Sequence, residues 1–197
     1  MKKESRSYRT RTGQTQSGSS LIAVLLVLLV VSLLGAAGAQ IALMAERSSR
    51  NDRDMQIAFQ AAEAALKDAE LDMTNSSRSA IFTDLISSQF IPGCGTSGTT
   101  LGLCAQSTSG KPAWLTVNMG ASGSAVVPYG QFTGQTFASG GVGIQPVQPP
   151  VYLIEQVPDP SSFDKATGTQ PMVYRVTAMG FGPRPEIQAV VQMIYRV

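Results

Sequence analysis

The sequence contains no histidine and few charged residues. Only 14% of its 197 residues are Asp, Glu, Lys or Arg. Without histidine, the chain lacks the commonest general base and the commonest metal ligand. Its two cysteines, Cys94 and Cys104, make a poor zinc site by themselves. The composition therefore argues against an enzyme and against a metal centre, and we expect no cofactor.

The small excess of positive charge is confined to the first residues. The chain has a formal net charge of +2, and its first eighteen residues contain one acidic residue, Glu4, against five basic ones, Lys2, Lys3, Arg6, Arg9 and Arg11. This segment therefore carries +4 and the remainder −2. Because the basic residues belong to a leader and not to a groove that could follow phosphates, we expect no direct contact with nucleic acid.

A long apolar segment follows the basic leader. No charged residue occurs between Thr12 and Ala45, and Leu21–Leu34 is apolar apart from Ser32. About 20 helical residues cross a hydrocarbon core of roughly 30 Å. The segment therefore predicts a membrane helix. The basic residues before it place the N-terminus in the cytoplasm and the rest of the chain on the other side.

The boundary between leader and helix distinguishes two kinds of export signal. An ordinary signal peptide has a shorter apolar core followed by small residues, and Ala37–Ala39 fit that pattern only weakly. Gly18 instead stands directly between the polar leader and the apolar run. This arrangement resembles the type III signal of type IV prepilins. The resemblance implies cleavage by a prepilin peptidase between Gly18 and Ser19, and N-methylation of Ser19.

The same resemblance gives the apolar helix a role in filament assembly. The implied assembly residues are Leu21, Ile22, Ala23, Gly35 and Gly38. Most pilins carry a glutamate at the fifth mature position, which here is Ala23, and this departure argues against the role of major subunit. Gly35 and Gly38 offer either a face for close helix packing or simply tolerated small residues.

Beyond the apolar segment, the sequence keeps a helical period. Apolar residues recur at steps of three and four, namely Met55, Phe59, Ala62, Leu66 and Ala69. No proline or glycine interrupts Ala45–Asn75. We therefore expect the two segments to form one helix of about 50 residues from Leu21, whose apolar stripe packs on a sheet.

The amino-acid sequence of this amphipathic segment resembles that of a known protein family. Ala58–Glu70 reads AFQAAEAALKDAE, and Gly18–Asp72 as a whole is similar to the N-terminal region of the PilX-type minor pilins. The resemblance implies a ladle-shaped α+β fold, in which a long N-terminal helix packs on a C-terminal antiparallel sheet. The expected domains are a leader (1–18), a transmembrane assembly helix (19–45), an amphipathic helix (46–75) and a periplasmic globular head (76–197).

The head shows four candidate strands. Runs of β-branched and aromatic residues, or of alternating apolar ones, occur at Ala113–Asn118, Val151–Val157, Met172–Met179 and Ile187–Val197. The last two are joined by Gly180–Pro185, which is typical of a hairpin connection.

Cys94 and Cys104 lie in a Gly/Ser/Thr-rich stretch. In an exported head they predict a disulfide that contributes roughly 2 to 3 kcal/mol, although two free thiols in a loop remain the alternative. Asp159 and Asp164 lack the usual spacing of a calcium loop, so we expect no cation there.

The function implied by these features is assembly without chemistry. The resemblance to PilX-type minor pilins implies a minor pilin in an initiation or tip complex, with other minor pilins, the major pilin and a large tip adhesin as partners. It would reside in the inner membrane before it enters the filament. A pseudopilin of a type II secretion system shares the leader and the helix. A single-pass envelope enzyme is a further alternative, with a serine–lysine pair that uses Lys111 or Lys165, but the sequence lacks the corresponding motifs.

Overall fold

The fold comes from a computed structural model that describes residues 19–108, 110–121, 124–141, 143–159, 161–162, 168 and 170–196. The chain divides into two compact units, Met1–Ser48 and Ser49–Val197. The first contains the apolar part of the N-terminal helix. The second contains the rest of that helix and the whole sheet.

Helix α1 spans Ser19–Asn75 without a break. Alanine, leucine and other good helix formers dominate this stretch, and its two glycines, Gly35 and Gly38, are tolerated within it. The prediction of one long helix is therefore confirmed. Three short helical turns follow before the sheet, with α2 at Ser79–Thr83 and two 3-10 turns at Ser87–Gln89 and Gly98–Thr100.

The sheet has five strands. They are β1 (Leu103–Cys104), β2 (Val127–Pro128), β3 (Val151–Pro158), β4 (Met172–Phe181) and β5 (Gln188–Tyr195). The three long strands form an antiparallel meander, as expected from their β-branched residues. Strand β2 also joins β3 antiparallel, whereas β1 joins it in parallel, so the complete sheet is mixed. The predicted α+β, pilin-like architecture is confirmed.

Each face of the sheet is covered by a different layer. On one face, the inward side chains of β3 and β4 pack against α1 and α2, and they include Tyr152, Ile154, Tyr174 and Val176. On the other face, Leu153 packs against the loop layer that contains the two cysteines and Met119. Because alternate side chains of a strand point to opposite faces of the sheet, the same strands contribute to two cores, one beneath the helix and one beneath the loops.

The face that α1 buries contains most, but not all, of the predicted stripe. Ala62 and Ala69 are buried and Leu66 packs partly buried against the core, as predicted, whereas Met55 and Phe59 are 45% and 46% exposed. The cause is a close approach of the helix to Gly180 of β4. A Cβ atom on Gly180 would lie 2.1 Å from the Ala58 carbonyl oxygen. At that separation only alanine-sized side chains fit between helix and strand, so the larger residues point away.

The prediction of a strand at Ala113–Asn118 is wrong. Ala113–Thr116 forms a short helix, α3, which begins after Pro112 at φ −63°. The backbone N–H of Ala113 donates to the buried carboxylate of Glu155 at 2.9 Å. A proline and an acceptor at the first turn favour helix initiation, and here they prevail over the β propensity of the residues that follow.

Candidate functional site

Three of the predicted assembly residues, Leu21, Ile22 and Ala23, lie in the first turns of α1. Gly18, at the predicted cleavage point, lies outside the described residues, and Ser19 is the first residue of the helix. The side chains of Leu21 and Ile22 are exposed, as is Ala23. The start of α1 therefore presents apolar surface that no described part of this chain covers.

The rest of the apolar segment is suited to nonpolar surroundings. Its only polar side chain between Leu21 and Leu34 is Ser32, whose hydroxyl donates to the Leu28 carbonyl at 2.7 Å. This local bond satisfies the hydroxyl within the helix. Among the described residues, one helix is long and apolar enough to cross a membrane, and it is α1.

Gly35 and Gly38 leave open space on the helix surface. Apart from the neighbouring backbone of α1 itself, a Cβ atom at either position would meet no atom of the described residues within 4 Å. Neither glycine is therefore required by the internal packing of the chain. The structure brings the other predicted site residues, Cys94 and Cys104, together elsewhere, in the head.

The predicted disulfide is present in the head. Cys94 and Cys104 are both buried and bonded to each other, and Cys104 belongs to β1. The bond closes a loop that contains the 3-10 turn Gly98–Thr100. This loop lies beside the sheet, so the bridge fixes a mid-domain segment against β3.

Two backbone carbonyl groups of the disulfide loop accept hydrogen bonds from a fully buried arginine. Arg78 donates from Nη1 to the carbonyl oxygens of Thr99 and Leu101, each at 2.8 Å. Its Nε and Nη2 donate to both carboxylate oxygens of Asp72, and the two side chains are completely buried. The Phe132 ring lies 3.6 Å from the guanidinium carbon. The planar guanidinium therefore donates hydrogen bonds from its edges and places one face over the Phe132 ring.

The same polar cluster extends along the last turns of α1. The hydroxyl of Tyr152 donates to Asp72 at 2.8 Å. Burial, together with the adjacent Asp72 carboxylate, holds the pKa of the Tyr152 phenol far above its usual value. One turn earlier, Asp68 accepts from the backbone N–H of Gly130 at 2.7 Å and from the Thr133 hydroxyl. These bonds attach α1 to β3 and to the loop after β2.

Sequence reasoning missed this cluster. Arg78 stands in a polar Ser-rich stretch and has one acidic partner nearby in sequence, six residues before it. Its two carbonyl acceptors lie 21 and 23 residues further along the chain. The signal in the sequence was a pair of aspartates four residues apart, Asp68 and Asp72, which share one side of a helix and need partners if that side is buried.

The side chain of Asp159, which follows β3, forms an ion pair with Arg196, which follows β5, and we call this pair the Asp159 clasp. Its carboxylate accepts from Arg196 Nε at 2.9 Å and from Ser161. These hydrogen bonds, with that from Arg196 the strongest influence, hold the pKa of Asp159 well below its usual range. Asp164 lies outside the described residues. Because Arg196 and Ser161 already occupy the Asp159 oxygens, this carboxylate is engaged in structure.

The described part of the structure does not place the lysines considered for catalysis in a catalytic site. Lys111 is exposed and lines an open cleft of about 560 Å³, and Lys165 lies outside the described part of the chain. A second cleft of about 570 Å³ includes Arg175, which donates to the buried Glu155 at 3.0 Å. In the described ranges, no group of three His, Cys, Asp or Glu side chains could hold a metal ion.

Two protein-family models match this chain, one in its N-terminal part and the other in its C-terminal part. Residues 17–67 match the PilX N-terminal family, and residues 100–197 match the C-terminal region of the type IV pilus assembly protein PilX. Neither the curated proteins nor the solved structures that were searched contain a match. The two family matches follow one another in the expected order, and together they cover most of the chain and include most of α1 and the whole sheet. The chain therefore belongs to the PilX family of type IV pilus assembly proteins.

Proposed function

We propose that this chain is a minor pilin that is cleaved between Gly18 and Ser19, methylated at Ser19, and assembled into the initiation or tip complex of a type IV pilus. The observation that supports this most directly is the apolar start of α1, which begins beside Gly18 and which nothing in the described chain covers. In a filament, that surface packs against the corresponding helices of other pilins, including the major pilin.

Ala23 favours a minor role. A carboxylate in an apolar helix bundle is costly unless it is paired, and in pilins it guides docking onto a neighbour's N-terminal amine. Alanine avoids the cost and lacks the docking group. A subunit of this kind suits the start of a filament better than its repeated shaft, where each new subunit docks in the same way.

The head suits an oxidising compartment. The Cys94–Cys104 bridge is buried and closes the loop that holds Arg78. Disulfides persist in the periplasm and are rare in the cytosol. The positive leader supports the same orientation, with the N-terminus inside and the head outside. We propose that the chain acts through assembly alone, without catalysis, with other minor pilins and a large tip adhesin as partners.

The cleavage step is tested by N-terminal sequencing. The chain is purified from cells that contain or lack the prepilin peptidase. We expect a mature start at Ser19 that requires the peptidase, with N-methylation of Ser19. An intact Met1 in both strains, or a start near Gln40 as for an ordinary signal peptide, would overturn the proposed processing.

A pair of glycine variants tests the role of the boundary. Gly18→Trp should block cleavage, so that the precursor stays in the membrane and is missing from sheared filaments. Gly13→Trp is the matched control, because Gly13 lies in the same leader but away from the boundary. It should be processed normally. Normal filament incorporation of the Gly18 variant would contradict the proposal.

A further inference from the structure

A cleft on the loop-covered face of the sheet contains an arginine whose hydrogen-bonding capacity is only partly used. We call it the Arg175 cleft. Its volume of about 570 Å³ lies within the usual range of ligand sites in proteins. No acidic side chain of the described residues lines it. The lining side chains that matter here are those of Arg175, Gln106, Gln170, Pro112, Val157 and Ile194.

The guanidinium group of Arg175 is held in place from below. The backbone of Arg175 lies within the sheet, paired with Glu155 of β3 and with Ile194 of β5. Its Nε donates to one oxygen of Glu155 at 3.0 Å, and its Nη2 lies 3.0 Å from the same oxygen. Glu155 is completely buried, and its other oxygen accepts from the backbone N–H of Ala113. Because the guanidinium is already ordered, a ligand loses little affinity to ordering it.

One edge of this guanidinium remains available to a ligand. The group is planar and carries five N–H donors, and its Nε and Nη2 are turned towards Glu155. Nη1 makes no hydrogen bond in the described part of the chain, and the Arg175 side chain is 26% exposed. The end of the guanidinium formed by Nη1 and Nη2 therefore offers two parallel donors. This fork matches the two oxygens of a carboxylate.

The walls of the Arg175 cleft indicate what the carboxylate is attached to. Pro112, Val157 and Ile194 provide apolar surface beside the guanidinium, and Ile194 is 45% exposed. The side-chain amides of Gln106 and Gln170 can donate to and accept from a peptide group. A phosphate carries more negative charge than one guanidinium can compensate between apolar walls. The combination therefore favours a carboxylate with an apolar side chain and an amide nearby.

The charges around the Arg175 cleft favour a ligand with one negative charge. Arg175 forms an ion pair with Glu155, and Arg196 forms one with Asp159 beyond the end of β3. Lys111 lines the adjoining cleft, which shares two residues with this one. These three basic and two acidic residues sum to +1. A single carboxylate brings this local sum to zero.

We propose that the Arg175 cleft binds the carboxylate of a ligand that carries an apolar side chain next to the carboxylate and an amide behind it. An N-acylated apolar amino acid and the C-terminal residue of a peptide share this chemistry. Arg175 donates to both carboxylate oxygens, the apolar side chain lies against Pro112, Val157 and Ile194, and Gln106 or Gln170 pairs with the amide. The proposal concerns the head alone, so it stands or falls independently of the proposed role in the pilus.

Nuclear magnetic resonance titration of the full chain in detergent tests the proposal. The probe is N-acetyl-leucine, and its control is N-acetyl-leucinamide, in which a neutral amide replaces the carboxylate. Two signals are followed, the Nε–H of Arg175 and the indole N–H of Trp114, which follows Ala113 on α3. We expect both signals to shift and to saturate with a Kd of about 1 to 10 mM, as for a ligand of about a dozen heavy atoms. The amide should bind at least about tenfold more weakly.

Two variants locate the binding. Arg175→Lys keeps the charge opposite Glu155 but lacks the fork, so the Kd measured at the indole should rise about tenfold or more; Arg184→Lys makes the same change at an exposed arginine between β4 and β5 and should bind normally. Gln170→Trp leaves the ion pair intact and fills the cleft, so the Arg175 signal should no longer shift. Gln131→Trp is its control, because exposed Gln131 follows β2 at the opposite end of β3.

Three results would overturn the proposal. These are equal shifts from the acid and the amide, shifts that do not saturate, and unchanged binding in Gln170→Trp. The last of these remains decisive even if Arg175→Lys disturbs the fold of the head. A comparison with N-acetyl-Ala-Ala-Leu identifies the source of the carboxylate. Tighter binding of this peptide than of N-acetyl-leucine supports a protein C-terminus, and equal binding supports a small acid.

Discussion

Among substitutions that leave the exposed surface of the head unchanged, Arg78→Ala should be the most destabilising. Arg78→Ala removes the partner of a completely buried Asp72 and leaves the Thr99 and Leu101 carbonyls without their donor. Breaking a buried ion pair by deleting one member costs about 3 to 5 kcal/mol. Because small domains have free energies of unfolding of about 5 to 15 kcal/mol, this loss is a large fraction of the total.

A conservative charge should not rescue the site. The Lys ammonium in Arg78→Lys keeps the charge but cannot span both Asp72 oxygens and two carbonyls at once. We expect this variant to lose about 2 to 3 kcal/mol. Arg184→Ala is the matched control, because Arg184 is 64% exposed and lies 3.8 Å from Asp54. Because Arg184 is exposed and Asp54 keeps its ion pair with Arg53, the loss should be at most about 1 kcal/mol.

Urea unfolding in detergent measures these differences. The chain has a single tryptophan, Trp114, which packs in the loop layer on the far side of the sheet from α1, so its fluorescence reports unfolding of the head. The reasoning fails if Arg78→Ala unfolds within about 1 kcal/mol of the Arg184→Ala control. That outcome would mean that the buried cluster is hydrated or readily rearranged.

Three further predictions use the same assay. Gly180→Ala should cost about 1 to 3 kcal/mol, because its Cβ would meet the backbone of α1, whereas Gly120→Ala, with its nearest neighbours at 3.7 Å, should be nearly neutral; equal costs would contradict the close approach. Replacing Cys94 and Cys104 by serine should cost roughly 2 to 3 kcal/mol, and an unchanged midpoint would refute the role of the bridge. Asp159 has a lowered pKa, so its contribution is complete above about pH 4 and is lost as the pH falls further. Asp159→Asn should therefore melt below the unaltered chain at pH 6 and converge with it towards pH 2, and a constant difference would count against the clasp.

Much of the fold follows from local patterns. The length and apolarity of Leu21–Leu34 and the unbroken helical period up to Asn75 predict α1, and β-branched runs predict β3, β4 and β5. These signals are strong because each is repeated over many consecutive residues. The disulfide was predictable for a related reason, since two cysteines in a head that is expected to be exported have few alternatives.

The remainder depends on contacts that local patterns do not encode. The close packing of α1 at Ala58 and Ala62 depends on Gly180, more than a hundred residues away. Met55 and Phe59 therefore lie outside the buried face, although Ala62, Leu66 and Ala69 of the same stripe pack on the sheet as predicted. Helix α3 depends on Glu155, which lies 42 residues beyond Ala113. In both cases tertiary contacts prevail over intrinsic propensity.

Two kinds of contact hold α1 on the sheet, and they respond differently to conditions. Near Ala58 and Ala62, the contact with Gly180 is a steric fit of small residues, which depends on neither charge nor oxidation. Near Asp72, the contact is a hydrogen-bonded cluster whose arginine is held by carbonyls of the disulfide loop. Loss of the disulfide therefore weakens the C-terminal part of the helix contact first. The disulfide therefore supports the attachment of the last turns of α1 to the sheet.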